Sequence, residues 1–241
     1  VFQADSFRRI IGMARNAYWR VGLSGTPLSR TDHRSMFAIG SIGRVIYRVK
    51  TDVLIDAGLI SKPTIVMRAC TQTSDQGSWP AVHRELIVNS KVRNQILIDM
   101  VKEAPKPCIV FVSSLKHGRT LAKAIQAAGL KSEFIDGKSS LDVRKRAVKR
   151  LEDCSVEALV ATTIFNEGID IPDLRAVVIA AGGASAIQTL QRIGRGMRRT
   201  EDKDTFHVYD IADKGHPWTT QHAGARSRAY RSEGHEVTTI K

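Results

Sequence analysis

The sequence predicts an α/β protein built on a parallel sheet covered on both faces. Three observations carry that expectation. Residues 108–112, 158–162 and 176–180 are short apolar runs, the pattern of strands buried on both sides. Stretches with helically spaced apolar residues separate such runs, so strands and helices alternate along the chain. Glycines stand where helices should stop, as Gly58 and Gly129 do.

The elements follow in order. Residues 5–14 read as a short helix with a capping residue at its start. Residues 18–23 read as a strand running into the turn Ser24-Gly25-Thr26-Pro27. Residues 45–49 are a second strand, 52–57 a short helix and 65–69 a third strand. Residues 71–82 open with TQTSDQGSW, a polar, glycine-containing stretch suited to a linker. The division expected from this is 1–70, a linker 71–82, and a better organised domain 83–241 with a C-terminal extension. In that domain, 85–102 read as one long helix, with Leu86, Ile87, Ile96, Leu97, Met100 and Val101 on helical spacing. Strand 108–112, helix 118–128, strand 133–135 and a basic helix 141–151 come next. Strands 158–162 and 176–180, helix 185–199 and a last strand 206–211 complete the pattern.

Composition narrows the partners. The 241 residues carry a formal net charge of +13, which favours a polyanion through counterion release. Cys70, Cys108 and Cys154 lack metal-ligand spacing and read as reduced, mostly buried thiols of a cytoplasmic protein. No apolar run approaches the length of a membrane span, and no signal peptide is visible. The seven histidines, His117 and His222 among them, show no metal-like clustering and read as surface or packing residues.

Residues 188–199, QTLQRIGRGMRR, carry the sharpest chemical signal. On a helical wheel with Gln191 at zero, Arg195 falls about 40° to one side and Arg198 about 20° to the other. Leu190, Ile193 and Met197 cluster roughly 130° away, as a core-facing stripe would. Planar, permanently charged guanidinium groups on one face suit a polyphosphate whose charge shifts during transfer.

Three more segments stand in order with this one: Ser24-Gly25-Thr26-Pro27, the stretch ATTIFNEGIDIP at 161–172, and IVFVSS at 109–114. These three resemble motifs III, V and IV of superfamily 2 helicases, and residues 188–199 resemble motif VI. Within that superfamily the chain is most similar to UvsW and XPB/RadD-like DNA helicases. The similarity includes the pattern His222-Ala223, Arg226, Tyr230, Glu233-Gly234. The resemblance implies a second RecA-like domain, the helicase C-terminal domain, preceded by the back half of a first RecA-like domain.

It also implies roles for residues. Ser113 and Thr162 would hold a nucleic-acid backbone; the alternative is that they cap the helices that follow them. Arg144 either contacts the same strand or is one charge among Lys145, Arg146, Lys149 and Arg150. Gly168 and Asp170 would meet ATP across the interdomain cleft. Asp170 either accepts from the ribose or holds an arginine of the 185–199 helix. Arg195 and Arg198 would act on the phosphates, in the manner of arginine fingers. Gln191 either orients the nucleotide or the attacking water, or pairs with Asp170. Ser24 and Thr26 would couple the two domains, although Gly25 stands where alanine is commoner in the family.

The parts that would hold Mg²⁺ and the β-phosphate, a P-loop and an acidic box, are absent from this chain, which starts at Val1. Gly137-Lys138-Ser139 does not supply a P-loop, because Ser132 stands where its first glycine should be. It reads instead as a strand-to-helix turn, with Ser139 or Ser140 as the cap. The expectation is therefore an ATP-dependent DNA helicase or translocase, represented from motif III to the C-terminus and inactive as an isolated piece. Such enzymes act in DNA repair and recombination. A DEAD-box RNA helicase is the alternative, though those usually carry His in place of Gln191 and Gly in place of Met197. A remodeller of the Swi2/Snf2 type fits SGTP but not GRGMRR. A nucleic-acid-binding module without catalysis is the reading from another class.

Overall fold

The structure is a computed structural model. It describes residues 5–23, 35–162, 171, 173–184, 197, 199–200 and 202–240. The chain divides into two compact units, Val1–Lys50 and Thr51–Lys241.

The first unit contains helices α1 (Asp5–Met13) and α2 (Ser35–Ile42). The strands expected at 18–23 and 45–49 do not form. Their side chains suit strands, but a strand needs a neighbour to bond its backbone groups, and the described residues of this unit contain none. Tyr18, Leu23 and Ile46 consequently stand 89%, 85% and 98% exposed. The SGTP turn, with Ser24 and Thr26, lies outside the described residues.

Among the described residues, the second unit is a seven-stranded sheet in which every paired strand is parallel. It opens with α3 (Thr51–Asp56) and β1 (Lys62–Thr71). Next come α4 (Trp79–Val82), a π-helical segment (His83–Val88) and α5 (Lys91–Glu103). Then β2 (Cys108–Phe111), α6 (Leu115–Ala127), β3 (Ser132–Ile135), α7 (Leu141–Glu152) and β4 (Ala158–Ala161) alternate. Finally β5 (Ala176–Ile179), β6 (Thr205–Lys214), α8 (Pro217–Ser232) and β7 (Val237–Ile240) close the unit. The strand order is β3-β4-β2-β5-β6-β1-β7.

This order corrects the expected boundary at residue 70. Strand β1 pairs with β6 along its whole length, from Lys62 against Thr205 to Thr71 against Lys214. A short apolar run does not announce which sheet it joins, and β1 joins the second one. The linker reading of 71–82 shifts with it, because Trp79–Val82 is already helical.

The two faces of the sheet explain the continuous apolar runs. Ile109, Phe111, Leu159, Val177 and Ile179 turn to one side, where Ala147 and Leu151 of α7 and Tyr230 of α8 pack. Cys108, Val110, Ala158, Val160, Ala176 and Val178 turn to the other, against Leu97, Met100 and Val101 of α5 and Leu121 and Ile125 of α6. Alternate residues of one strand thus serve opposite cores, and neither can be polar.

The long helix expected over 85–102 is interrupted. Asn89 N–H donates to the Arg84 carbonyl five residues back, the bond of a π-turn. Ser90 then caps α5, its Oγ accepting from Arg93 N–H at 3.1 Å. The last strand was expected at 206–211; α8 and β7 follow it. Of the cysteines, Cys70 and Cys108 are buried and Cys154 is exposed, all as free thiols.

Candidate nucleic-acid interface at the carboxyl rim

In an all-parallel sheet every strand ends on the same rim, and ligands gather there. The order β3-β4-β2 brings three expected positions side by side: the turn after Ile135, Thr162 after β4, and Ser113 just past β2. The ladder continues into this rim. Thr162 N–H donates to the Ile135 carbonyl at 3.3 Å and Val112 N–H to the Ala161 carbonyl at 2.9 Å.

Each position has its own state. Thr162 is only 6% exposed, and its Oγ1 is buried with no hydrogen-bond partner. A buried hydroxyl left this way costs about 1–3 kcal/mol. Ser113 is exposed, and the cap of α6 is its neighbour: Ser114 Oγ accepts from His117 N–H at 3.1 Å. Capping therefore does not explain Ser113. Its Oγ lies 2.9 Å from His83 Nε2 and donates to the Ala181 carbonyl at 3.2 Å. His83 Nε2 also lies 3.3 Å from that carbonyl, so the three groups form a closed triangle.

Arg144 is not a freely solvated charge. Its Nε donates to the Ser139 carbonyl at 2.9 Å and its Nη2 to the Gly137 carbonyl at 3.1 Å. Asp136 ties the same turn from its other side, accepting from Lys138 N–H at 2.9 Å and Ser139 N–H at 3.2 Å. Ser140 caps α7, with Val143 N–H donating to its Oγ at 3.4 Å. The turn is thus tied from both sides, and Lys138, Lys145 and Arg146 are exposed around it.

The other half of the rim was not legible as a site. Arg93 is fully buried; its Nε donates to Asp213 Oδ1 at 2.8 Å and its Nη1 to the Ala180 carbonyl at 2.9 Å. Arg226 is also buried; its Nε donates to Asp210 Oδ2 at 2.8 Å, its Nη1 to the Gly183 carbonyl and its Nη2 to the Ile211 carbonyl, both at 2.9 Å. Tyr230 Oη donates to Asp210 Oδ2 at 2.7 Å. Burial pulls the Arg226 pKa down, and Asp210 more than reverses this, holding it above its ordinary value. One signal could have found the network: two aspartates, Asp210 and Asp213, among the apolar Phe206, Val208 and Ile211 of one strand call for cationic partners once buried.

An aromatic group borders both halves. The Trp79 ring lies 5.3 Å from His83 and 4.3 Å from His222, centroid to centroid, both edge-on. Burial lowers both histidine pKa values, and the Arg226 charge adds to the effect at His222.

Gly168, Asp170, Gln191, Arg195 and Arg198, the expected nucleotide residues, lie outside the described residues. Their neighbour Met197 is described. It is buried in the core. Arg199 is exposed and pairs with Asp204 at 2.8 Å. Among the described residues no group of three or more His, Cys, Asp or Glu could hold a metal ion, and no helix is long and apolar enough to cross a membrane.

Against this geometry stand the known proteins. The family described as "Helicase conserved C-terminal domain" matches residues 92–200. Residues 92–200 of this chain are thus similar to a helicase C-terminal domain. Its relatives include proteins named as DNA helicases and as RNA helicases. A "Putative DNA 3'-5' helicase Rad25" from Halobacterium salinarum is 28% identical over 227 residues, covering 91% of this chain and 36% of that protein. "Pre-mRNA-splicing ATP-dependent RNA helicase PRP28" from Cryptococcus neoformans is 28% identical over 167 residues, covering 61% of this chain and 22% of that one. The crystal structure of T4 UvsW shares the fold, with a TM-score of 0.56 at 18% identity over 85% of this chain and 45% of that one. The chain thus spans about a third of the length of the Rad25 relative and less of the other.

Proposed function

We propose that this chain is the C-terminal portion of an ATP-dependent DNA helicase or translocase, with the β3-β4-β2 rim as its track for a nucleic-acid backbone. The observation that carries the reading is the alignment of Thr162, Ser113 and the Arg144-held turn on three adjacent strand ends. A hydroxyl buried without a partner, next to exposed lysines and an arginine, suits phosphate oxygens better than bases. A phosphate at Ser113 would take the proton now given to Ala181, while His83 continues to bond the Ser113 oxygen. The Rad25 relative, a DNA helicase by name that matches nearly the whole chain, supports DNA. The PRP28 relative supports the second reading, an RNA helicase.

In the parent protein, ATP with Mg²⁺ would be hydrolysed between this domain and a first RecA-like domain. Gly168, Asp170 and Gln191 would serve the nucleotide from this side, and Arg195 and Arg198 its phosphates. Residues 1–50 fit the back half of that first domain. The apolar side chains of Tyr18, Leu23 and Ile46, left in water here, fit a face that further chain would cover. Ser24 and Thr26 would couple the domains.

Binding of single-stranded DNA and RNA of matched sequence to this chain tests the reading. Affinity should be nearly independent of sequence, stronger for DNA, and should fall steeply with salt. The chain alone should hydrolyse no ATP above background, since it has no P-loop. In the parent, Arg195→Ala and Arg198→Ala should each lower DNA-stimulated kcat on the order of a hundredfold, with Arg192→Ala and Arg199→Ala near wild type. Salt-insensitive binding, or equal losses at all four arginines, would overturn it.

A further inference from the structure

At the β2–β5 end of the rim the Trp79 ring has no part in the track just described, although His83 beside it bonds Ser113. We infer that Trp79, braced by His83 and His222, is a stacking platform for one base of the strand whose backbone lies on Ser113. This rests on the reading of the rim as a nucleic-acid track.

Four observations converge on it. Trp79 remains half-exposed although two rings hold it edge-on, so its orientation is fixed while its indole stays accessible. Its backbone is fixed too, because it opens α4 with Pro80 directly after it. It stands one histidine away from the backbone site: His83 touches the indole with its ring and Ser113 Oγ with its Nε2, at 2.9 Å. Finally, the patch is uncharged near neutral pH, since burial lowers both histidines, whereas the β3 end carries Lys138, Lys145 and Arg146. A strand offers the same two chemistries side by side, a charged backbone and flat neutral bases. Each base has a π-face, so such a platform adds affinity without adding sequence preference.

Paired strands separate the base from the backbone. One is an oligothymidylate of about a dozen nucleotides; the other has the same length but abasic sugars throughout. Trp79→Ala should weaken oligothymidylate binding about tenfold and leave the abasic strand unchanged. Trp79→Phe should keep most of the affinity. In a Trp19→Phe, Trp218→Phe background, Trp79 is the remaining tryptophan, and its fluorescence should be quenched by oligothymidylate but not by the abasic strand. That arm leaves Trp79 itself untouched, so it holds even if Trp79→Ala folds poorly. Equal loss on both strands, or no loss with no quenching, overturns the platform. If Ser113→Ala still weakens both strands in that case, the track stands without it. If neither strand binds the unaltered chain, the track falls and the platform with it.

Discussion

The two halves of the carboxyl rim solve the same problem in opposite ways. Every strand end exposes backbone groups and polar side chains that need partners. At the β5-β6 end, the protein supplies those partners itself. Arg93 and Arg226 bond Asp213 and Asp210, and their remaining N–H groups reach the carbonyls of Ala180, Ile211 and Gly183. At the β3-β4-β2 end, Thr162 keeps a buried hydroxyl unbonded and Ser113 is exposed. The closed half is tied by its own buried ion pairs, and the open half leaves a buried hydroxyl unpaired. The closed half also has a positional consequence, because its guanidinium groups fix residues 180–183 where the chain leaves the sheet. Gly182 belongs to that stretch, with a φ of +67° and an added Cβ only 2.9 Å from Ile87 Cδ1. Only glycine takes that conformation and that space without strain.

The largest effect should come from opening the closed half. Arg226→Ala leaves Asp210 buried without its main cation, and should destabilise the fold by about 3–5 kcal/mol. Arg93→Ala should do the same through Asp213. Because Arg226 also approaches Asp213, at 3.8 Å, and partly compensates it when Arg93 is lost, the double variant should cost more than the sum of the two. Urea denaturation of the four proteins measures this. A loss under 1 kcal/mol for either single variant would mean that the closed half is not what holds this end together.

How legible each half was follows from the kind of signal it left. The strands 108–112, 158–162 and 176–180 were plain, since burial on both faces leaves a continuous apolar run. Ser113 and Thr162 were named from their motifs and Arg144 from its place in the helix after Gly137; the structure puts the two hydroxyls, and the turn that Arg144 holds, at adjacent strand ends. The closed half was missed because its partners are far apart in sequence: Arg93 and Asp213 are 120 residues apart. Only the Arg226 and Tyr230 pattern hinted at it, without naming Asp210. Strand β1 was seen as a strand but given to the wrong sheet, since its pairing with β6 leaves no local trace. Strands at 18–23 and 45–49 were read from propensity, which cannot reveal that a neighbour is lacking.

A middle-sized effect concerns His117, which sits behind the rim in α6. It is fully buried, its Nε2 lies 2.9 Å from Asn94 Oδ1, and burial pushes its pKa down to about 3. The folded protein therefore keeps this ring neutral, while the unfolded chain takes up a proton below about pH 6.5. The unfolded state binds more protons in that window, so stability falls as pH drops from about 6.5 towards 3. Its contribution is complete above that window. His117→Leu should flatten this acid limb in thermal melts between pH 7 and pH 4, and an unchanged limb would assign it to other groups. The rim's open half should not move with it, so DNA affinity at neutral pH should stay within about twofold.

The smallest effect on stability should come from the open half, and it separates the halves most cleanly. Thr162→Val keeps the shape of the side chain and removes the hydroxyl. At the closed end such a deletion would strand a bonded partner. Here no partner exists, so removing the group should leave stability within about 1 kcal/mol or raise it slightly. Affinity for single-stranded DNA should nevertheless fall several-fold, by the loss of about one phosphate hydrogen bond, roughly 1 kcal/mol. Thr162→Ser, which keeps the hydroxyl, should bind like the unaltered chain. Stability and binding thus move in different directions at this one residue. If Thr162→Val instead destabilised the fold by more than about 2 kcal/mol and left binding alone, its hydroxyl would be part of the internal network. The two ends of the rim would then be the same kind of structure, and the nucleic-acid track would have to be sought elsewhere on the domain.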